Sequence, residues 1–157
     1  MEVEIVENRK QSLFAYKNGE LLFYSTIKFN WLKKNLVKIF DSKDNLILEL
    51  QSYDAPFRPL NLKVLSQNID KTKNIIQISE YEIVFNENKK LMSQKQDLLS
   101  FNQNCFYWYN GIKIAEIKQT MWNSPQKIIL HIDEKELKLL DFLIIHILAV
   151  RTGYNSD

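Results

Sequence analysis

The chain has 157 residues, of which 45% are hydrophobic and 25% are charged, and this composition is typical of a globular domain. The formal net charge of +2 and the small number of arginines argue against nucleic acid as an obligate partner, because arginine makes most base-edge and bidentate phosphate contacts. The single cysteine excludes an intramolecular disulfide, which fits a reducing cytoplasmic compartment, and the richness in lysine, asparagine and isoleucine is typical of an AT-rich bacterial genome.

The first half of the chain is predicted to form strands. It starts with MEVEIVENRK, which alternates apolar and acidic residues and lacks the continuous apolar core of a signal peptide. Asn18-Gly19 then stands between two apolar runs, and this dipeptide is the strongest short-range signal for a two-residue hairpin. A longer hairpin is predicted around the turn residues 41–45. The predicted strands of this half are 3–7, 13–16, 21–24, 36–40, 46–50 and 60–65.

The second half continues the strand pattern. The aromatic run 105–109, the dipeptide Asn110-Gly111 and the apolar run 112–117 give the clearest hairpin signal in the chain. Aromatic side chains alternate along this hairpin, so one pair should pack on the core and the other should cover the outer wall or form an exposed contact patch. The segment 94–101 fits either a short helix or a strand. The predicted strands of this half are 75–78, 81–85, 90–93, 105–109, 112–117 and 126–132.

The end of the chain predicts one long helix over residues ~134–150. Asp133 and Glu136 have the spacing of a capping box, which marks a helix start. In the last three turns only Asp141 and His146 interrupt the apolar side chains, and these two residues do not share a face. A helix that is apolar nearly all round has to be surrounded by protein or by lipid.

A buried position fits this helix better than a membrane span. Its 17 residues extend roughly 25 Å, whereas a bilayer core needs about 20 predominantly apolar residues, and the first half of this helix is strongly charged. Eleven or twelve strands would enclose a lumen that one apolar helix can fill. We therefore predict a single domain over residues 1–157 that is mainly β (α+β). It is an antiparallel closed barrel of about 12 strands around a central C-terminal helix, with no vacant interior.

Three segments of the sequence together resemble a known arrangement of strands and a helix. They are LVKIFDSKDNLILEL over 36–50, YNGIKIAEIKQ over 109–119 and KIILHIDEKELKLLDFLIIHILAV over 127–150. They look like the paired strand–turn–strand units, the penultimate hairpin, and the final strand with central helix of the tubby C-terminal-like superfamily. This superfamily contains tubby proteins, LURP-one-related plant proteins and phospholipid scramblases. The resemblance implies a twelve-stranded barrel that closes around a hydrophobic helix.

The resemblance implies binding functions but assigns no residue to them. Tubby domains of eukaryotes bind phosphoinositide head groups through a Lys/Arg pair, and scramblases carry a cysteine cluster and a calcium-binding segment. Here the doublets Lys33-Lys34 and Lys89-Lys90 lie in predicted turns, and Cys105 is the single cysteine. No acidic cluster has the pattern of a calcium loop. Phosphoinositide, scramblase and calcium activities are therefore not carried over.

The sequence contains no catalytic or metal-binding motif, so we predict a protein that is not an enzyme and holds no cofactor. His131 and Asp133 could face one way as an acid–base pair or half a metal site, although capping of the helix by Asp133 is the simpler role. His146 is expected to be a buried neutral imidazole bonded to a backbone carbonyl of the barrel, with a ligand in the lumen as the alternative. An enzyme would need a pocket that joins Cys105 to one of these histidines.

We predict a non-catalytic binding module that contacts a partner protein or, by analogy with the superfamily, an anionic membrane surface. Lysines attract anionic lipid, and the proline-flanked loop 53–59 combines an aromatic side chain with a cation. The alternative is a carrier of a hydrophobic small molecule, which requires an open lumen and therefore a last helix that packs outside as a lid. The residues predicted at the contact surface are Lys33, Lys34, Phe57, Arg58, Lys89 and Lys90.

Overall fold

Twelve antiparallel strands form a closed barrel in the computed structural model, as the sequence predicts. The structure describes residues 1–30, 34–53, 60–95, 104–119 and 125–153, without the side chains of Tyr53 and Lys71. The strands are β1 (Glu2–Glu7), β2 (Leu13–Lys17), β3 (Glu20–Lys28), β4 (Leu36–Asp41), β5 (Leu46–Tyr53), β6 (Asn61–Gln67), β7 (Ile75–Ser79), β8 (Glu82–Phe85), β9 (Lys89–Lys95), β10 (Cys105–Tyr109), β11 (Ile112–Gln119) and β12 (Lys127–Ile132). The helices are α1 (Ile69–Thr72), a 3₁₀ helix (Glu134–Leu139) and α2 (Leu140–Arg151).

The barrel closes because each strand pairs with the next one and the first strand pairs with the last. Ile5 of β1 lies opposite Ile128 of β12 in this closing pair. The two predicted Asn-Gly hairpins are confirmed. Asn18 and Gly19 have φ values of 51° and 81°, and Asn110 and Gly111 have 50° and 77°. Positive φ at both central residues is the geometry of the tight turn that matches strand twist.

The helix α2 lies in the lumen and fills it as far as Val150. All its residues except Asp141 are buried, and its apolar side chains form one core with the inward-facing side chains of the strands. The ring of Phe142 stacks on that of Phe85 in the wall, with centroids 3.8 Å apart. Since a lumen of twelve strands is wider than the strand side chains alone can fill, the helix completes the core.

The two ends of the barrel differ in their connections. At the lower end, where β12 leads into the helix, most connections are tight turns. At the upper end, where α2 ends, most connections are long. The lower-end connections are 18–19, 42–45, 68–74, 86–88 and 110–111, and the upper-end connections are 8–12, 29–35, 54–60, 80–81, 96–104 and 120–126.

The start of the helix differs from the prediction. A 3₁₀ helix precedes α2, and Glu136 within it has the non-helical angles φ −110° and ψ 19°. Asp133 caps this segment by accepting from the backbone N–H of Lys135 at 3.0 Å, so the predicted capping box with Glu136 is wrong. The α-helix begins at Leu140 because Leu139 is the first side chain of the segment that is buried, and packing stabilises helices more than propensity does.

Two other elements were not predicted in this form. The strand β9 is longer than the predicted 90–93, and it takes in Gln94 and Lys95 from the ambiguous segment, whose residues 96–101 lie outside the described residues. The single turn α1 lies between β6 and β7. It is held by the Thr72 hydroxyl, which donates to Gln67 Oε1 at 2.9 Å. This contact spans five residues of the chain, and no hydrophobic periodicity in the sequence predicts the turn that it holds.

Gly153 packs the end of α2 against β3. Its φ is +75°, and a Cβ atom built there would lie 2.3 Å from Ile27 Cδ1 and 3.3 Å from Phe29 Cζ. Gly153→Ala is therefore expected to lower the free energy of unfolding by about 2–3 kcal/mol, from left-handed strain and overpacking together. Urea denaturation of the purified variant measures this loss.

Gly111→Ala is the matched control. Gly111 has nearly the same φ of +77°, but nothing lies within 4 Å of the added Cβ. This variant should lose only the strain contribution of about 1 kcal/mol. Equal losses in the two variants would show that Ile27 moves aside without cost and that the close approach at Gly153 is unimportant.

Candidate binding sites

Three of the six predicted contact residues lie in the described part of the chain, at two different ends of the barrel. Lys33, Phe57 and Arg58 lie outside the described residues. Lys34 is exposed in the upper-end connection that precedes β4, whereas Lys89 and Lys90 begin β9 at the lower end. The barrel therefore separates Lys34 from the doublet Lys89-Lys90, and Lys89 and Lys90 lie beside a groove.

This groove, which we call the wall groove, runs over the outer face of β8, β9 and β10. It has a volume of about 940 Å³. Met92 in β9 lies opposite Glu82 in β8 and Trp108 in β10, so the three side chains share the outer face. Tyr81 closes the upper part of the groove, and the predicted contact residues Lys89 and Lys90 are among the residues of its wall.

Apolar side chains dominate the centre of the wall groove. Met92 is 55% exposed and Tyr81 is 48% exposed, and both side chains line the groove beside Trp108. The indole Nε1 of Trp108 is buried and has no hydrogen-bond acceptor among the described residues. The aromatic run 105–109 predicts such a patch as one of two alternatives, and the structure places Trp108 on the outer face. Sequence reasoning missed Tyr81 and Met92.

The charges of the wall groove balance. Two lysines and two glutamates line it, so the formal charge of these four side chains is zero. Lys90 Nζ lies 3.8 Å from Glu82 Oε2, a partly exposed ion pair. Such a pair contributes little to stability, but it removes the excess of positive charge that the sequence suggested at Lys89-Lys90. The groove is therefore apolar and neutral rather than basic.

His146 is buried inside the barrel with both ring nitrogens engaged. Its Nε2 lies 2.8 Å from the backbone oxygen of Ser79, and its Nδ1 lies 2.7 Å from the Tyr107 hydroxyl. The carbonyl can only accept, so Nε2 carries the proton and Nδ1 accepts from Tyr107. Burial lowers the pKa of His146 to about 4. The predicted neutral imidazole bonded to a backbone carbonyl is confirmed.

A second cavity lies at the upper end, between the end of α2 and the wall, and we call it the upper cavity. It has a volume of about 200 Å³, and Cys105, Ser93 and Arg151 are among its lining residues. The expectation of an interior with no vacant space is therefore wrong at this end. The apolar part of α2 ends at Val150, so the helix does not fill the lumen beyond this point.

The described residues contain no pocket that joins Cys105 to a histidine. His131 is partly exposed on the wall, with its Nδ1 3.5 Å from Glu2 Oε2. His146 lies behind Tyr107 and has no free ring nitrogen. Burial raises the pKa of the Cys105 thiol, although the neighbouring Arg151 opposes this effect. The pocket that an enzyme would need, with Cys105 beside a histidine, is therefore not found in this part of the chain.

A metal site and a membrane-spanning helix are both absent from the same part of the chain. Across its described ranges, no group of three or more His, Cys, Asp or Glu side chains is arranged to hold a metal ion. No helix within them combines the length and the apolar character that crossing a membrane requires.

Comparison with known proteins gives one structural likeness. No family model and no curated protein matches this chain. The chain is similar to an X-ray structure of a protein from Arabidopsis thaliana, with 11% sequence identity and a TM-score of 0.46, over 92% of this chain and 89% of that one. A function for this chain has to be inferred from the surfaces of its own barrel.

Proposed function

We propose that this protein is a non-catalytic binding module that docks a segment of a partner protein in the wall groove. The observation that carries the proposal is the exposure of Met92 and Tyr81 beside Trp108 on one face of the barrel. Tyrosine, tryptophan and methionine are the residue types enriched at the centres of protein interfaces. A bound segment would cover this apolar surface.

The chemistry of the groove favours a protein over an anionic membrane. Each lysine near an anionic surface contributes about 1 kcal/mol of attraction, but Glu82 and Glu87 cancel this for Lys89 and Lys90. Methionine adapts its shape to irregular partners.

We also propose membership of the tubby C-terminal-like superfamily. The support is the closed barrel of twelve strands around a central C-terminal helix, which is the architecture that the resemblance implies. The carrier alternative is less well supported, since it requires a helix outside the barrel and α2 lies inside.

Placing a photo-crosslinking benzoylphenylalanine at Met92 should yield one discrete protein adduct in cells of the native host. The adduct partner, identified by mass spectrometry and purified, is then titrated against the wild-type protein by calorimetry. Met92→Asp and Tyr81→Ala should each weaken this affinity at least tenfold, which corresponds to about 1.4 kcal/mol. Both side chains are about half exposed, so both variants should remain folded.

Leu65→Asp is the matched control. Leu65 is 44% exposed on β6, three strands from β9, and its replacement should leave the affinity unchanged. Equal losses at Leu65 and Met92 would contradict docking in the wall groove. Sedimentation with phosphatidylcholine vesicles, with and without phosphatidylserine, tests the membrane version. Salt-sensitive binding that is lost in Lys89→Ala and Lys90→Ala would favour a membrane and retire the protein partner.

A further inference from the structure

We propose, on the basis of the docking function above, that the segment docked in the wall groove is proline-rich and adopts a polyproline II helix. The segment runs across β8, β9 and β10 rather than along them. Four properties of the groove support this: the spacing of its aromatic side chains, its free side-chain amides, its position on a face of the sheet and its balanced charge.

The two aromatic side chains of the groove lie one polyproline turn apart. The backbone oxygen of Tyr81 accepts from the N–H of Ser93 at 2.7 Å, which extends the pairing of β8 with β9. Trp108 in β10 lies opposite Met92 in β9. Two strand spacings of about 4.8 Å each therefore separate Tyr81 from Trp108, roughly 10 Å in all with the offset of one residue. A polyproline II helix advances about 9.3 Å in three residues, so prolines at positions i and i+3 can contact both rings.

The surface between these two positions suits a proline ring. Trp108 lines the groove while its Nε1 atom is buried, so the indole offers carbon atoms rather than a hydrogen-bond donor to a ligand. Met92 lies between the two rings and is apolar as well. Proline has an apolar ring and no backbone N–H, so its burial here leaves no donor without an acceptor. Aromatic-lined grooves of this kind bind polyproline II segments in other proteins.

Side-chain amides provide hydrogen-bond donors around this apolar centre. Asn88, Gln94 and Asn110 line the groove and are exposed, and their side-chain amides make no hydrogen bond within the described residues. Each amide group has two N–H donors. The carbonyls of a polyproline II segment have no internal partners and accept from such donors, whereas the carbonyls of an α-helix are already bonded within the helix. The amides therefore favour a polyproline segment over a helical one.

The position of the groove argues against an added β-strand. A segment that binds as a strand needs an unpaired sheet edge. In the closed barrel β8, β9 and β10 each pair with a neighbour on both sides, so the groove lies on a face of the sheet and offers no edge.

The charge of the groove also matches a proline-rich segment. Its two lysines and two glutamates sum to zero, and Lys90 pairs with Glu82. A balanced surface exerts no net attraction on a strongly charged segment. An uncharged run of prolines is therefore complementary to it.

Titration of the isotope-labelled protein with acetylated decaproline should shift the backbone NMR signals of Met92 and Trp108 with saturation. A flexible Gly-Ser decapeptide should bind about tenfold more weakly, because it has to be ordered on binding. Tyr81→Ala should weaken the decaproline affinity about fivefold through the loss of one ring contact, and Gln94→Ala about threefold through the loss of one donor. Leu65→Asp on β6 is the matched control and should leave the affinity unchanged.

A helical peptide with leucines at positions i, i+4 and i+7 tests the other kind of segment. Saturable binding of this peptide without binding of decaproline would overturn the inference, and so would a Met92 crosslink to a partner segment that lacks prolines. Both results would leave docking in the wall groove intact. Decaproline binding that Leu65→Asp weakens as much as Tyr81→Ala would place the peptide elsewhere and overturn the inference as well. The docking function fails in a different way, through the absence of any Met92 adduct in cells, and saturable decaproline binding would still identify the kind of segment that the groove accepts.

Discussion

Leu143→Asp should leave no folded protein in the soluble fraction. Leu143 lies in α2 at the centre of the lumen and has no exposed surface. Removing a buried leucine side chain costs about 2–5 kcal/mol, and an unpaired buried carboxylate adds several more. Since a domain of this size is stable by about 5–15 kcal/mol, the sum is comparable with the whole stability. Soluble yield and dispersion of the amide NMR spectrum measure the outcome.

Leu137→Asp makes the same exchange at an exposed position. Leu137 is 41% exposed in the 3₁₀ helix before α2, and this variant should fold normally. A well-dispersed spectrum from Leu143→Asp would mean that the helix does not lie in the lumen. The proposed superfamily membership would then lose its main support.

Acid should destabilise the protein between about pH 6.5 and pH 4 through His146. The folded-state pKa is about 4, below the ordinary value of 6.5, so in this range the unfolded chain binds more protons than the folded one. The stability from the neutral imidazole is fully present above pH 6.5 and decreases as the pH falls toward 4. The full loss is about 3 kcal/mol, at 1.36 kcal/mol for each unit of pKa. Urea denaturation at a series of pH values measures it.

His146→Gln isolates this contribution. A glutamine amide offers an N–H for the Ser79 carbonyl and an oxygen for the Tyr107 hydroxyl, but it does not titrate. The variant should show a flatter pH dependence of stability over the same range. If the variant and the wild type lose stability in parallel there, another group causes the acid sensitivity. Glu116 is a poor alternative, because its pKa is lowered by Lys113 and it titrates at a lower pH.

Much of the fold could be predicted because its signals are local. Asn18-Gly19 and Asn110-Gly111 each fix a hairpin through positive φ at two adjacent residues, and no distant contact is needed. The apolar helix predicted the barrel for a different reason, since a helix without a polar face needs an enclosure. The 3₁₀ helix Glu134–Leu139 before α2 could not be predicted from local spacing, because burial decides where α2 begins.

The sites could be predicted less well because they depend on register. Met92 and Trp108 share a face only because β9 and β10 pair as they do, and a shift by one residue would turn Met92 inward. The prediction that His146 is a buried imidazole is confirmed. Its hydrogen-bond partners Ser79 and Tyr107, however, are 67 and 39 residues away in the chain. Arg151 gave no signal of burial in the sequence, and the closed wall around the end of α2 is what buries its side chain.

The pairing of β1 with β12 also has a consequence for biosynthesis. About 120 residues separate the end of β1 from the start of β12. Since the ribosome adds roughly 5–20 residues per second, the free edge of β1 stays unpaired for about 6–24 s until β12 is synthesised. Over that interval the apolar concave face of the sheet is also exposed, since α2 follows β12 in the chain. We expect holdase chaperones to protect this intermediate until β12 closes the barrel and α2 fills its lumen in one step.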